Sequence, residues 1–368
     1  MPNATETIPT SLVGMDLPML REWTAARGLP KFRAAQLHRA IYRRLAVSPL
    51  ELTDLPLTLR EQLADEVSFR ELKVVHEVRD PHSRTTKTLF ALRDGALVES
   101  VLMSYGGSTV RHRHTVCLSS QVGCALGCTF CATGLQGWAR DLSAGEMVEQ
   151  ILYFARLLRG QGEQVTNIVY MGMGEPFLNY DSVLQSLRLL TDPEGFGLGA
   201  RHLTVSTSGV VPAIRRFARE NLQVGLAVSL HAPDDALRGT LVPLNRRYPV
   251  AELIDACREY TERTHRRISF EYTMLAGVND GPEQADRLAM LLRGMLCHLN
   301  LIPWNRVEGM PFQPSSAEAI EAFRERLEAH HLAVTIRDTR GSGISAACGQ
   351  LRTTTIRERR PARSLPTV

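Results

Sequence analysis

Lysine is almost absent from this 368-residue chain: all but three of its 43 basic residues are arginine, the exceptions being Lys31, Lys73 and Lys87. A membrane span is also missing. The longest uncharged run, Thr115 to Ala139, carries Ser119, Ser120, Gln121, Gln136 and four glycines, too polar for lipid. Met1 to Gly14 is polar and Pro/Thr-rich, with neither the basic segment nor the apolar stretch of an export signal, so a cytoplasmic protein is expected. Seven cysteines, an odd count, argue against a disulfide framework. No internal repeat appears. Hydrophobic residues at 44% and charged residues at 22% exclude disordered, collagen-like and disulfide-scaffold classes. The length predicts one large α/β barrel with an appendage, or two to three modules.

A formal net charge of +4 is modest for a nucleic-acid-binding protein, so its distribution says more than its sum. The tail over residues 352–368 holds Arg352, Arg357, Arg359, Arg360 and Arg363 against Glu358, and Arg111-His112-Arg113-His114 forms a second basic cluster. Both are candidate phosphate-binding surfaces, with a solvated tail as the bland alternative. Residues 1–14 are expected to be disordered. Residues 15–65 read as a small helical domain, from the apolar spacing of Leu17, Leu20 and Trp23, then Leu37, Ile41 and Leu45, around Gly28-Leu29-Pro30. Arg33, His38, Arg39, Arg43 and Arg44 lie mostly off its apolar stripe, an arrangement that suits RNA.

Residues 66–109 turn to extended segments, Lys73 to Val78, Thr85 to Leu92 and Leu97 to Met103, with a hairpin turn at Asp94-Gly95, and are expected to form a linker sheet. Strand-like runs then recur at Thr115 to Ser119, Asn167 to Met171, His202 to Ser206, Gly225 to Leu230, Ile268 to Thr273 and Leu299 to Pro303. A helical pattern follows each. Such alternation demands a parallel sheet. Six units are too few to close an eight-fold barrel, so the fold predicted for residues 110–351 is α/β, a partial (β/α)6 barrel with its site at the C-terminal strand ends. Ser143-x-x-Glu146 and Ser315-x-x-Glu318 read as capping boxes, and Pro249 and Pro282 as first-turn prolines.

Cys124-Ala-Leu-Gly-Cys128-Thr-Phe-Cys131 places three thiols in eight residues, in a glycine-rich loop just beyond the first of these strands. Two inorganic readings compete. Structural zinc wants a closed four-ligand shell, for which Cys117 and His114 are the nearby fourth donors. A four-iron cluster held by three thiolates leaves one iron open to a substrate or cofactor, and the tight spacing in a loop favours it. Zinc would make the chain a non-catalytic RNA-binding module.

The C-x-x-x-C-x-x-C spacing, with Phe130 directly before the last cysteine, resembles the radical S-adenosylmethionine (SAM) superfamily, in which the open iron binds SAM and reductive cleavage yields a 5′-deoxyadenosyl radical. Met171-Gly172-Met173-Gly174-Glu175-Pro176 is similar to that superfamily's Gly-Gly-Glu-Pro segment; a dinucleotide-binding loop would need glycine where Phe177 stands. Longer strings, Ser119-Ser120-Gln121-Val122-Gly123-Cys124, Ser206-Thr207-Ser208-Gly209-Val210-Val211-Pro212, Ser229-Leu230-His231-Ala232-Pro233 and Ala346-Ala347-Cys348-Gly349-Gln350-Leu351, resemble the RlmN/Cfr family of RNA adenine methyltransferases from about residue 15 to 351. Departures are Phe177, where leucine is usual, and Gly343, where aspartate is common.

The resemblance implies an enzyme that methylates carbon 2 of one adenosine in 23S rRNA and of one in certain tRNAs; Cfr-type members act on carbon 8 instead. It implies one [4Fe-4S] cluster on Cys124, Cys128 and Cys131, two SAM molecules per turnover, and an electron donor of flavodoxin or ferredoxin type. Cys348 corresponds to the cysteine that is methylated and then carries the one-carbon unit to the base. Cys117 corresponds to the thiol that resolves the protein–RNA link as a disulfide, and Glu99 to the proton acceptor at carbon 2. Gly174, Glu175, Ser206, Ser229, Leu230, His231 and Asn305 match SAM-contact positions. The chemistry is coherent: carbon 2 of adenine is electron-poor and will not attack an electrophilic methyl, so a radical route is required. The target base must be unstacked to enter the barrel mouth. Trp138 and Arg140 either flank the substrate or pack the loop, and Cys257 and Cys297 are expected to be inert core residues.

Overall fold

The computed structural model describes residues 9–106, 112–338 and 340–351. The arginine-rich tail, Arg111 of the basic cluster and residues 1–8 lie outside the described residues. Residues 10–14, expected in the disordered stretch, are ordered: β1 (Thr10–Ser11) joins a two-stranded sheet, and Leu12 and Val13 behind it are buried. Helices α1 (Leu17–Ala25), α2 (Phe32–Tyr42) and α3 (Leu57–Glu66) follow, and β2 (Val67–Ser68) returns to pair with β1 in parallel. They close over Leu20, Leu37, Ile41 and Leu63. His38 does not face outward with the arginines as expected. Ala34, His38 and Tyr42 recur every four residues along one buried face of α2, where His38 meets the Tyr42 ring and Asp192. Burial holds its pKa below the usual imidazole value. Arg39, Arg43 and Arg44 are exposed.

Three antiparallel strands come next, β3 (Lys73–Asp80), β4 (Thr85–Ala91) and β5 (Leu97–Tyr105). Asp94 and Gly95 make the last turn: the Asp94 carboxylate accepts from the Ala96 N–H at 3.0 Å, and Gly95 has φ +80°. These strands extend the main sheet, because β5 pairs antiparallel with β6 (Arg113–Cys117). A hairpin of β7 (Gln121–Gly123) and β8 (Trp138–Asp141) then encloses α4 (Ala132–Gln136). Alternation takes over with α5 (Ala144–Arg159), β9 (Asn167–Tyr170), α6 (Tyr180–Thr191), β10 (Leu203–Thr207), α7 (Val211–Phe217) and β11 (Gly225–Ser229). It continues with α8 (Asp235–Leu241), α9 (Val250–Thr264), β12 (Ile268–Met274), α10 (Pro282–Leu292), β13 (Cys297–Pro303), α11 (Ala317–Ala329) and β14 (Val334–Ile336).

Strands β6 and β9 to β14 pair in parallel in that order, so six crossovers join seven strands. The six β/α units are those the sequence predicts. The seventh strand, β14, is only three residues long, below the length that reads as a strand. The ten-stranded sheet is open, with β14 and β3 as its edges. Helices cover the parallel strands, and Leu226, Ala227 and Val228 of β11 are accordingly buried in an unbroken apolar run.

The first capping box forms as expected: the Ser143 hydroxyl accepts from the Glu146 N–H at 3.1 Å, and the Glu146 carboxylate accepts from the Ser143 N–H at 2.8 Å. The second is displaced by one residue. Ser316 caps α11 by accepting from the Ala319 N–H, while the Ser315 hydroxyl donates to Asp280. Pro282 takes the first turn of α10, whereas Pro249 sits one position earlier, at the cap of α9. Among the described residues no helix is long and apolar enough to cross a membrane.

Candidate active site

Turns leaving the carboxyl ends of the parallel strands enclose two adjoining cavities. Cys124, Cys128, Cys131, Gly174, Glu175, Ser206, Ser229 and His231 line the first. Cys117 and Asn305 line the second, and Cys348 belongs to both. Of the residues picked out from sequence, Leu230 and Glu99 line neither. The Leu230 side chain is in the hydrophobic core, and its backbone N–H donates to the Glu271 carbonyl. Glu99 is buried on β5, where Lys87 Nζ approaches its carboxylate to 3.2 Å.

The thiol loop is cinched where β7 meets β8. Gly123 has φ +77°, and a Cβ there would lie 1.8 Å from the Gly137 carbonyl oxygen, so only glycine fits. The Cys124 N–H donates to that same carbonyl at 2.8 Å. Beneath the loop, Phe130 packs with Leu241, Val242 and Trp304, and the Trp304 indole N–H donates to the Phe130 carbonyl. Burial pushes all three thiols up, Cys124 to about 12, so without a cation beside them they are protonated. A bound metal reverses that preference by taking the thiolates. The three thiols come from one loop and line one cavity, a donor set that suits a cluster offering each thiolate its own iron. His114, a possible fourth zinc donor, lies at the opposite end of β6, bonded to Ser104 and Glu163.

The glycine-bearing turn after β9 is braced by Gln121 and Glu175. Gly174 has φ +101°, and a Cβ would lie 2.5 Å from Gln121 Cβ. The Gln121 side-chain carbonyl accepts from the Glu175 N–H at 2.8 Å. Both Glu175 carboxylate oxygens are spoken for, accepting from the Phe177 N–H at 3.0 Å and the Ser208 N–H at 2.7 Å. Burial raises the Glu175 pKa, and these hydrogen bonds oppose the rise. Phe177 packs at a tilt against Tyr180 and Phe217, in the core.

His231 stands in the left-handed region, φ +62°, with its Nδ1 accepting from the Thr273 N–H at 3.0 Å. That assignment leaves the proton on Nε2. Burial and the nearby Arg238 push its pKa down to about 3, so the ring stays neutral. Arg238, missed in the sequence, is fully buried and ties the strand ends together. Its guanidinium donates to the carbonyls of Leu230 at 3.0 Å, Ser208 at 2.6 Å and Ser229 at 3.2 Å, and to the Asn245 side chain at 2.9 Å.

Cys348 is carried by the segment after β14. The Ala132 N–H donates to the Gly349 carbonyl at 2.8 Å, Thr133 Oγ1 to the Leu351 carbonyl at 2.7 Å, and Lys87 Nζ to the Ser345 carbonyl at 3.2 Å. The segment therefore rests on the thiol loop and on β4. Asn305 reaches the Cys348 carbonyl at 3.5 Å. Arg337, at the end of β14, lines both cavities, and Glu271 lines the first, 3.6 Å from the guanidinium. Electrostatic coupling to Cys348, Glu271 and Cys117 raises the Arg337 pKa. Burial pushes the Cys117 thiol up to about 12, with Arg337 opposing. Arg337 and Glu271 were also missed. Their signal was position: Glu271 is in register with Ser229 on the neighbouring strand, and Arg337 follows directly on β14.

The second basic cluster is mostly consumed within the fold. His114 is buried, His112 and His114 both meet Glu163, and Arg113 stacks on Tyr105. Arg140 is held by Asp94 and Glu146, while Trp138 is exposed. Cys257 is in the core, Cys297 is half-buried at the start of β13, and all seven cysteines are free thiols.

An open, mostly parallel sheet with three thiols in the loop after its first parallel strand is the architecture of a radical SAM enzyme, and the model of the Radical SAM superfamily matches residues 118–289. A second model, the ribosomal RNA large subunit methyltransferase N-terminal domain, matches residues 10–68. The probable dual-specificity RNA methyltransferase RlmN of Chloroflexus aurantiacus is 48% identical, over 92% of this chain and 92% of that protein. Its namesake from Symbiobacterium thermophilum is also 48% identical, over 93% and 91%. A crystal structure of a radical SAM methyltransferase from Sphaerobacter thermophilus superposes with a TM-score of 0.90 at 52% identity, covering 94% of this chain and 99% of that one. The chain belongs to the RlmN family and is a SAM-dependent radical RNA methyltransferase, which sets aside the non-catalytic zinc module.

Proposed function

We propose that the enzyme methylates carbon 2 of an adenosine in 23S rRNA and in tRNA, with Cys348 as the methyl carrier. One observation carries this reading: Cys348 lies on the wall common to a cavity lined by the three loop thiols and a cavity lined by Cys117. Cys124, Cys128 and Cys131 would hold a [4Fe-4S] cluster, which when bound supplies the electron for cleaving SAM. The donor set, three thiols on one cavity wall, fits such a group.

Gly174 and Glu175 shape the turn that receives the methionine end of SAM. The Ser206 and Ser229 hydroxyls and the His231 Nε2–H supply donors, Leu230 shapes the strand end through its own backbone bonds to Glu271 and Arg238, and Asn305 spans to the Cys348 segment. The Cys348 thiolate takes the methyl of one SAM; a second SAM serves hydrogen abstraction from the resulting S-methyl group. Once the carbon is joined to the base, Glu99 accepts the carbon 2 proton, and the Cys117 thiolate attacks the Cys348 sulfur. As the sulfur–carbon bond breaks, the freed carbon takes a proton to become the methyl group. The unpaired electron of the adduct leaves, replacing the one that SAM cleavage consumed, and the Cys117–Cys348 disulfide, two electrons more oxidised than the thiols, is reduced by a dithiol before the next turnover. A flavodoxin or ferredoxin is the matching reductant.

Mass spectrometry of nucleosides from 23S rRNA and tRNA treated with the anaerobically reconstituted enzyme tests the reading. The expected product is 2-methyladenosine in both RNAs. Methylation at carbon 8, or of one RNA class alone, corrects the position or the substrate range.

A further inference from the structure

At the end of β6 remote from both cavities, three metal-ligating side chains converge. His112 and His114 are two residues apart, which sends both to the same side of the extended chain, and Glu163 comes from the turn between α5 and β9. His112 Nδ1 lies 3.1 Å from one Glu163 carboxylate oxygen and His114 Nε2 lies 3.2 Å from the other. One donor atom from each residue falls within 4.8 Å of the other two, and no other trio of His, Cys, Asp or Glu among the described residues does so. Nitrogen and oxygen ligands at about 2.0–2.1 Å from a tetrahedral ion sit about 3.4 Å apart. The two observed His–Glu separations are close to that value.

Two further features distinguish this trio from an ordinary ion pair. The second ring nitrogen of His114 is held by Ser104 Oγ at 2.9 Å, the outer partner that fixes a ligating imidazole, so Nε2, here hydrogen-bonded to Glu163, turns a lone pair to a metal when Nδ1 carries the proton. The strand beneath is pinned as well: the His114 N–H donates to Thr166 Oγ1 and the Thr166 N–H donates to the His114 carbonyl, both at 2.9 Å. His114 is buried, Glu163 half-buried and His112 exposed, and a cleft beside Arg79 and Arg84 gives access.

We infer that His112, His114 and Glu163 form a second metal site, for a divalent ion of the zinc type, with water completing its shell. The ion staples the start of β6 to the turn that leads into β9. Cys117 lies three residues further along β6, about 10 Å away, so the staple stiffens the strand without entering the reaction site.

The test uses the cluster-loaded holoenzyme, dialysed anaerobically against Zn2+, desalted and assayed for zinc and iron beside H112A, H114A and E163Q. Wild type is expected to retain a single zinc equivalent that each variant loses, with iron unchanged, and Zn2+ is expected to raise the Tm of wild type but not of H112A. H112A decides the matter, because its exposed side chain is the one least able to disturb folding. Wild type that retains no zinc, equal zinc in wild type and H112A, or an equal Tm shift in both, overturns the site.

Discussion

The two cavities share a wall but are assembled by opposite routes. The first takes its thiols from eight consecutive residues and most of its remaining lining from β9, β10 and β11 and the turns after them, with Glu271, Ile302, Arg337 and Cys348 added from further along the chain. The second draws Tyr105 from β5, Cys117 from β6, Asn305 from beyond β13, Arg337 from the end of β14 and Cys348 from the segment after it. It exists only where the antiparallel extension and the C-terminal segment meet the barrel. On the proposed reading, the cofactor half is local and modular, while the half that handles RNA depends on long-range assembly.

The sharpest way to break this comparison is to delete one thiol of the loop and, separately, the thiol on the wall that both cavities share. Cys128→Ala is expected to abolish both iron loading and activity, whereas Cys348→Ala abolishes RNA methylation while iron and sulfide stay at wild-type content. Loss of iron in Cys348→Ala shows that the halves are not separable. Cys117→Ala comes next: RNA should remain covalently attached to the enzyme, visible as a shifted band on denaturing gels, and free methylated product at the normal rate removes Cys117 from its role.

Arg238→Ala probes the first cavity through its frame. The carbonyls of Leu230, Ser208 and Ser229 lose their donor, at a cost of about 3 kcal/mol or more, to be read from the denaturant midpoint. SAM affinity should fall with it. His231 gives the same cavity a pH dependence. Its folded pKa is lowered to about 3 from 6.5, so the unfolded chain takes up a proton in that window and the folded ring does not. The contribution is complete above about 6.5 and is lost as pH falls towards 3; His231→Gln should flatten that part of a Tm-against-pH curve.

The smallest effect sharpens the second cavity. Arg337 opposes the burial that holds the Cys117 thiol up to about 12, so Arg337→Gln should raise that pKa further. Alkylation of Cys117 at a fixed alkaline pH should slow by roughly threefold to tenfold, with recovery in Arg337→Lys. An unchanged rate means the guanidinium does not act on that thiol.

What was legible in the sequence follows the same division. The thiol spacing, the Gly-Met-Gly-Glu-Pro turn and the Ser143 capping box are short-range features, and a one-dimensional string displays them. Arg337 and Glu271 matter only because β14 and β12 bring them to one end of the sheet, and a three-residue strand such as β14 leaves almost no periodic trace. Strands β3 to β5 were readable as strands, but hairpin signals do not reveal that β5 pairs onward with β6. His38 and His114 looked like surface cations because histidine is polar; the helical and strand periods that bury them are visible only once the neighbouring elements are placed.

The pinch between Gly123 and Gly137 has a wider meaning for how such a loop evolves. A methyl group at 123 would collide with a carbonyl oxygen 1.8 Å away and pry the neck apart, so the circumference of the noose that positions three sulfurs is set there. Which inorganic guest the chain can house is thereby governed by two residues that own no donor atom and never touch it.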